Sequence, residues 1–174
     1  MEPMLAEVRN VLSRTPAVLT TLLDGMPGDV VSHRVATGSF SATDVLGHLI
    51  HGEKTDWVPR IKLILRSGDA VPFVAFDRRG FEEPIRGRGV GELLAEFSSL
   101  RRSNLEYLDG LSLTSLQLSL PGQHPELGRV TLGQLLATWA AHDLNHIDQV
   151  VRVISDRYAE AVGPWKAFLG ILNR

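Results

Sequence analysis

The segment His142-Asp143-Leu144-Asn145-His146 sets two imidazoles four residues apart inside a long apolar-periodic stretch. In a helix they stand one turn apart on the same face. That spacing lets both rings reach one metal ion, and histidine is the commonest protein ligand for zinc, copper and nickel. At about 100° per residue they align with Leu135, Trp139, Val150 and Val153, the residues that should face the core. Histidines buried in a core need partners, because an unpaired buried polar group is costly. A metal ion would supply them, and so would ordinary hydrogen bonds between core histidines.

Two histidines do not close a site, so a third ligand must come from another helix. His48 and His51 are the candidates. The apolar stripe around them runs through Leu46, Ile50, Trp57, Ile61 and Ile64, and His48 falls on the other side, with Gly52, Thr55 and Pro59. That side either meets solvent or lines a cavity toward the second histidine pair, where small residues would leave room for an ion and a substrate. A zincin carries glutamate directly after its first histidine as general base. Here Asp143 stands there, one carbon shorter, so a protease-like site does not follow. Asp143 projects into the apolar stripe near Leu136 and Val150. A buried aspartate needs an arginine or lysine from a neighbouring helix, or a histidine ring nitrogen.

Four long helical patterns must position these residues. The first covers 2–23, with Leu5, Val8, Leu12 and Leu19 in its stripe and Pro16 as a point of kinking. The second opens near Ser41 or Thr43, where Ser41-Ala42-Thr43-Asp44 reads as a capping-box variant, and runs to about Arg66 with a kink expected at Pro59. Residues 69–89 form a long connection whose Phe73, Phe76 and Phe81 should pack on the bundle. The third helix covers about 90–108, burying Leu93, Leu94, Phe97, Leu100 and Leu108 and leaving Arg101, Arg102 and Glu106 solvated. A second connection holds Pro121-Gly122 and His124-Pro125-Glu126-Leu127-Gly128. Thr131 then caps a fourth helix reaching Ile154 or Tyr158, and Pro164 opens a short last helix. An all-α four-helix bundle with long connections, a single domain over 1–174, is the expected architecture.

The composition is that of an ordinary globular chain, with 44% apolar and 22% charged residues. A net charge of -2 gives no pull toward nucleic acid or an anionic membrane. No apolar run approaches the roughly 18 residues of a membrane helix. Acidic residues and no basic ones in the first seven positions do not fit a secretory signal, so a cytoplasmic protein is expected. Cysteine is absent. Disulfides and thiolate ligands are thereby excluded, and any metal must be held by nitrogen and oxygen.

Gly47-His48-Leu49-Ile50 with Glu53 and Trp57, and His142-Asp143-Leu144-Asn145-His146 with Gln149, resemble the DinB-like superfamily. So do Leu132-Gly133-Gln134-Leu135-Leu136 and Gly163-Pro164-Trp165, and the ordered set runs from about Ser41 to Leu172. The resemblance implies a bundle holding a divalent metal ion through His48, His142 and His146, and it implies homodimers. Some members are thiol-dependent enzymes, including mycothiol-dependent maleylpyruvate isomerase and bacillithiol transferases. Three histidines and an open position make a catalytic zinc-type site. Zinc or nickel is expected before iron or manganese. With no cysteine in the chain, a thiolate would come from a low-molecular-weight thiol co-substrate. The expected activity is metal-dependent thiol S-transfer or hydrolysis of a small electrophilic molecule. The alternative is a non-catalytic metal- or ligand-binding bundle, a stress-response accessory protein. No catalytic residue beyond the ligands is assigned. His51 is expected beside the site or in solvent, His33 in a loop, His124 in a loop or at the pocket rim. Trp57, Trp139 and Trp165 are expected in the core. Thr138, Asn145 and Gln149 orient a ligand or meet solvent. Arg78, Arg79, Arg86 and Arg88 form a solvated loop that could draw in a carboxylate.

Overall fold

Ser41 and Thr131 each close a reciprocal capping box, and these two boxes set the phase of the helices that carry the histidines. The Ser41 hydroxyl accepts from the Asp44 N–H while the Asp44 carboxylate accepts from the Ser41 N–H at 2.7 Å. Thr131 and Gln134 repeat the exchange, at 3.2 Å and 2.8 Å. The computed structural model describes residues 2–173; Met1, part of the N-terminal segment read for targeting, and Arg174 lie outside it.

The long helices are α1 (Glu2–Leu23), α3 (Ala42–Thr55) followed by α4 (Trp57–Ser67), α6 (Val90–Gly110) and α8 (Leu132–Asp156). Single helical turns α2 (Gly28–Val31), α5 (Glu82–Ile85) and α7 (Ser115–Leu118) punctuate the connections. α1 packs on α8 and α6, and α3 packs on the same two helices, which closes a four-helix bundle. The chain ends in 3₁₀ turns at Gly163–Phe168 and Gly170–Leu172, the first with proline at its start. Among the described residues no helix is long and apolar enough to cross a membrane.

Several sequence expectations change. The second helix is interrupted at Asp56 (φ -113°, ψ -69°), not bent at Pro59. Pro59 has no N–H for the Thr55 carbonyl and its ring crowds that carbonyl, so the disruption falls in the turn before it, at Asp56. A hairpin, β1 (Pro121–His124) paired antiparallel with β2 (Gly128–Thr131), occupies what reads as plain connection. Strands of four residues are too short for an alternating pattern to stand out. Within 69–89, Phe73 and Phe81 are buried as expected, and the Phe73 N–H donates to the Gln123 carbonyl at 2.8 Å, docking the loop on the hairpin. Trp165 is exposed, because the 3₁₀ turn that carries it turns its ring outward from the core.

The apolar core is divided in two. One part gathers Leu12, Trp57, Ile61, Leu136 and Trp139; the other gathers Leu19, Leu46, Leu49, Phe97 and Val150. On each long helix a buried polar residue falls between the two parts in sequence: Thr15, Glu53, Arg101 and Asp143. These residues form a polar layer across the bundle, and Arg101 is the largest correction to the sequence reading. It is 1% exposed, not solvated, because two carboxylates on facing helices give its charge a place inside.

Candidate metal centre

α3 and α8 bring His48, His142 and His146 together. The Nε2 atom of His142 lies 3.1 Å from Nε2 of His48 and 3.1 Å from Nε2 of His146. The three ligand atoms lie within 4.8 Å of one another. His48 is buried, so the side of α3 opposite its leucine stripe lines a cavity and does not meet solvent.

Protons alone do not satisfy this cluster. His146 Nδ1 meets Gln149 Oε1 at 2.9 Å, which can only accept, so His146 carries its proton on Nδ1 and points a lone pair inward from Nε2. His142 has one Nε2 position and two nitrogen neighbours, and a single proton there can serve only one of them. The Nδ1 atom of His142 is buried without a partner among the described residues. Nitrogens bound at about 2.0–2.1 Å to one tetrahedral ion stand roughly 3.3 Å apart, close to the two 3.1 Å separations from His142. The donor set therefore fits a divalent ion of zinc type.

The electrostatics agree. Burial, with the neighbouring His146 second, pushes the His48 imidazole down to about 4. Burial and the other two rings, with Arg101 beyond, take His142 down to about 3. Burial also lowers His146, against the opposing pull of Gln149 and Asp143. All three are neutral at pH 7, the form in which imidazole binds metal. Beside them the polar layer holds one guanidinium and two carboxylates. Arg101 donates from Nη1 to Asp143 Oδ2 (2.5 Å) and from Nη2 to Asp143 Oδ1 (3.0 Å) and Glu53 Oε1 (2.8 Å). Glu53 also accepts from Trp139 Nε1 (3.0 Å) and Asn104 Nδ2 (2.9 Å). Burial works against the Arg101 charge, yet Asp143 and Glu53 outweigh it and raise its pKa. The layer thus sets two carboxyl groups against one guanidinium beside the neutral histidines. Asp143 thus takes the first partner expected for it, an arginine from a neighbouring helix.

Aromatic rings confine the histidines. Phe40, Phe76 and Phe81 lie with centroids 5.6, 5.4 and 6.1 Å from that of His48. The break at Asp56 turns Trp57 inward, where it meets His142 edge-on at 5.1 Å and stacks on Trp139 at 5.6 Å. The histidines line a cavity of about 630 Å³ that Gly52, Trp57, Phe73 and Leu135 also border. Volumes of this order hold small organic ligands. Thr138, Asn145 and Gln149 line it too, and His124 lies on its wall in β1, not in a loop. His51 contributes no nitrogen to the cluster and packs against Phe76 at 5.1 Å. His33 bonds Asp156 at 2.7 Å, away from the site. Of the loop arginines, Arg79, Arg86 and Arg88 pair with Glu82, Glu83 and Glu92, while Arg78 borders the cavity. Sequence reasoning overlooked Asp56 and Arg60, which also face the cavity. Their i,i+4 spacing ahead of a helix break was the available signal.

Fold and site together define a class: a four-helix bundle with three convergent histidines on the wall of an open cavity. The chain belongs to the DinB superfamily, which matches over residues 12–150. That span contains all three histidines and most of α1, and it leaves Gly163-Pro164-Trp165 outside. Among solved structures the chain is similar to YfiT from Bacillus subtilis, described as a probable metal-dependent hydrolase with an unusual four-helix bundle topology. The TM-score is 0.73 at 21% sequence identity, covering 86% of this chain and 85% of that one. This likeness establishes the fold. No curated protein matches the chain.

Proposed function

We propose that the chain is a metal-dependent enzyme that holds a divalent ion, zinc or nickel before iron or manganese, through His48, His142 and His146. Its substrate on this reading is a small electrophilic molecule. The observation that carries the reading is the convergence of three neutral Nε2 atoms on the wall of a cavity of about 630 Å³. A structural ion is enclosed by four protein ligands, whereas three ligands facing open space leave a position for a reactant. When bound, such an ion supplies Lewis acidity and lowers the pKa of a coordinated water or thiol.

The residues of the chain supply the rest. Gln149 fixes the tautomer of His146, Trp57 and Phe76 hold the rings of His142 and His48, and the apolar walls exclude water around the reacting group. Hydrolysis is supported by the description of YfiT. Thiol S-transfer is the second reading. On that reading the thiolate arrives as a low-molecular-weight co-substrate, since the chain has no cysteine to provide it. The proposal includes a homodimer in the cytoplasm. Metal analysis of the purified chain should give about one divalent ion per molecule. A His146→Ala chain that kept its full complement would overturn the ligand assignment.

A further inference from the structure

We propose that Arg60 and His124 form a carboxylate-binding subsite in the histidine cavity, taking the anionic end of a small apolar acid. Arg60 is 9% exposed and lines the cavity from α4. Its Nε pairs with Asp56 Oδ1 at 2.7 Å, and Nη2 reaches the Val74 carbonyl only at 3.4 Å. Nη1 has no hydrogen-bond partner among the described residues. A guanidinium has five N–H donors, and Nη1 is not among the buried atoms left without a partner, so it opens onto the cavity. The open edge of Arg60 is thus available to an acceptor on a molecule in the cavity.

His124 supplies the second donor. Its Nδ1 accepts from the main-chain N–H groups of Glu126 and Leu127, each at 3.1 Å. In the neutral ring the proton is therefore on Nε2, which has no partner among the described residues. Both groups pack on Phe73: the Arg60 guanidinium sits over its ring at 5.0 Å and His124 meets it edge-on at 6.2 Å. Two sets of N–H donors thus flank one apolar platform.

Asp56 cancels the formal charge of Arg60, so recognition rests on directed N–H groups and not on a diffuse positive field. The Asp56 pair also locks the fork in place, which makes it selective for a planar, bidentate acceptor. Glu126 borders the cavity as well, but its side chain is exposed and its repulsion is screened. Arg60 lies one helical turn along α4 from Trp57, whose ring touches His142. Arg60, His124 and the three histidines border the same cavity. The inference rests on reading the cavity as a substrate site and does not require the ion.

Titration calorimetry of the full chain with 3-phenylpropionate and with its neutral amide tests the subsite, in chelator-treated and metal-loaded protein. The acid should bind about tenfold more tightly than the amide, in keeping with the strength of charge-assisted hydrogen bonds. In Arg60→Gln the preference should fall to within about twofold, and in His124→Phe by about threefold, with metal content unchanged in both. Because Arg60→Gln leaves Asp56 unpaired, the double variant Asp56→Asn with Arg60→Gln keeps the pair neutral and should lose the preference equally. Equal affinity for acid and amide, no binding of either, or a preference that survives the double variant overturns the subsite. So does a preference lost in Arg78→Gln instead. A wild-type chain that binds no metal yet prefers the acid upholds the subsite while refuting the metal reading.

Discussion

Arg101 donates from Nη1 to the main-chain carbonyl of Leu12, 2.8 Å away in the centre of the bundle. Leu12 is four residues before Pro16, which has no N–H, so this carbonyl is the one α1 cannot satisfy from within. The helix runs through Pro16 because a side chain from α6 takes the place of the missing donor. The same guanidinium holds Asp143, next in sequence to the ligand candidate His142, and Glu53, five residues after His48. One buried arginine therefore ties α1, α3, α6 and α8 together at the level of the histidines.

Removing that arginine should be among the most damaging single substitutions in the chain. Arg101→Leu leaves two carboxylates and a carbonyl buried without their partner, and breaking a buried pair in this way costs about 3–5 kcal/mol. Urea unfolding at pH 7 should show the midpoint displaced accordingly. A loss below about 1 kcal/mol would mean that the layer is hydrated and not part of the packed interior.

Metal-free protein should lose stability as the pH falls below about 6.5. His142 and His48 stay neutral in the folded chain down to about 3 and about 4, whereas in the unfolded chain they take up protons near about 6.5. Between those limits the unfolded state binds more protons, so stability is fully present above about 6.5 and declines toward pH 4. Each group contributes at most about 1.4 kcal/mol per pH unit. Urea midpoints of chelator-treated protein at pH 7, 6 and 5 should fall in sequence, and His142→Asn should flatten the slope. A flat wild-type profile would contradict the burial of these rings.

The histidine pair on α8, the capping box at Ser41 and the N-cap at Thr131 were legible because helical period and capping are local rules. The side of α3 that carries His48 was not legible from period alone. Its leucine stripe faces the core parts while His48 faces the cavity, and both faces are covered. Only the family resemblance joined it to the other two. Arg101 was misplaced for a related reason: charge argues for solvent, and its carboxylate partners lie 48 and 42 residues away. Asp143 could be recognised as needing a cation, yet no periodicity says which helix provides it. The β1–β2 hairpin depends on the same kind of long-range packing, against the Phe73 loop.

Gln149 offers the most selective probe of the histidine cluster, since it touches a ring without being a ligand candidate. Its Oε1 lies 2.9 Å from His146 Nδ1 and holds the tautomer that frees Nε2. It is half-buried on α8, about two turns before the end of the helix, so Gln149→Leu should leave the fold intact and disturb only the orientation and basicity of His146. Partners of this kind typically alter metal affinity by about 10–100-fold when removed. Zinc competition against a chromophoric chelator should show that weakening in Gln149→Leu, with a urea midpoint close to that of the unsubstituted chain. Gln149→Glu, which keeps an acceptor at the same position and adds charge, should bind zinc at least as tightly as the original. Unchanged zinc affinity in Gln149→Leu would show that His146 is oriented by packing alone.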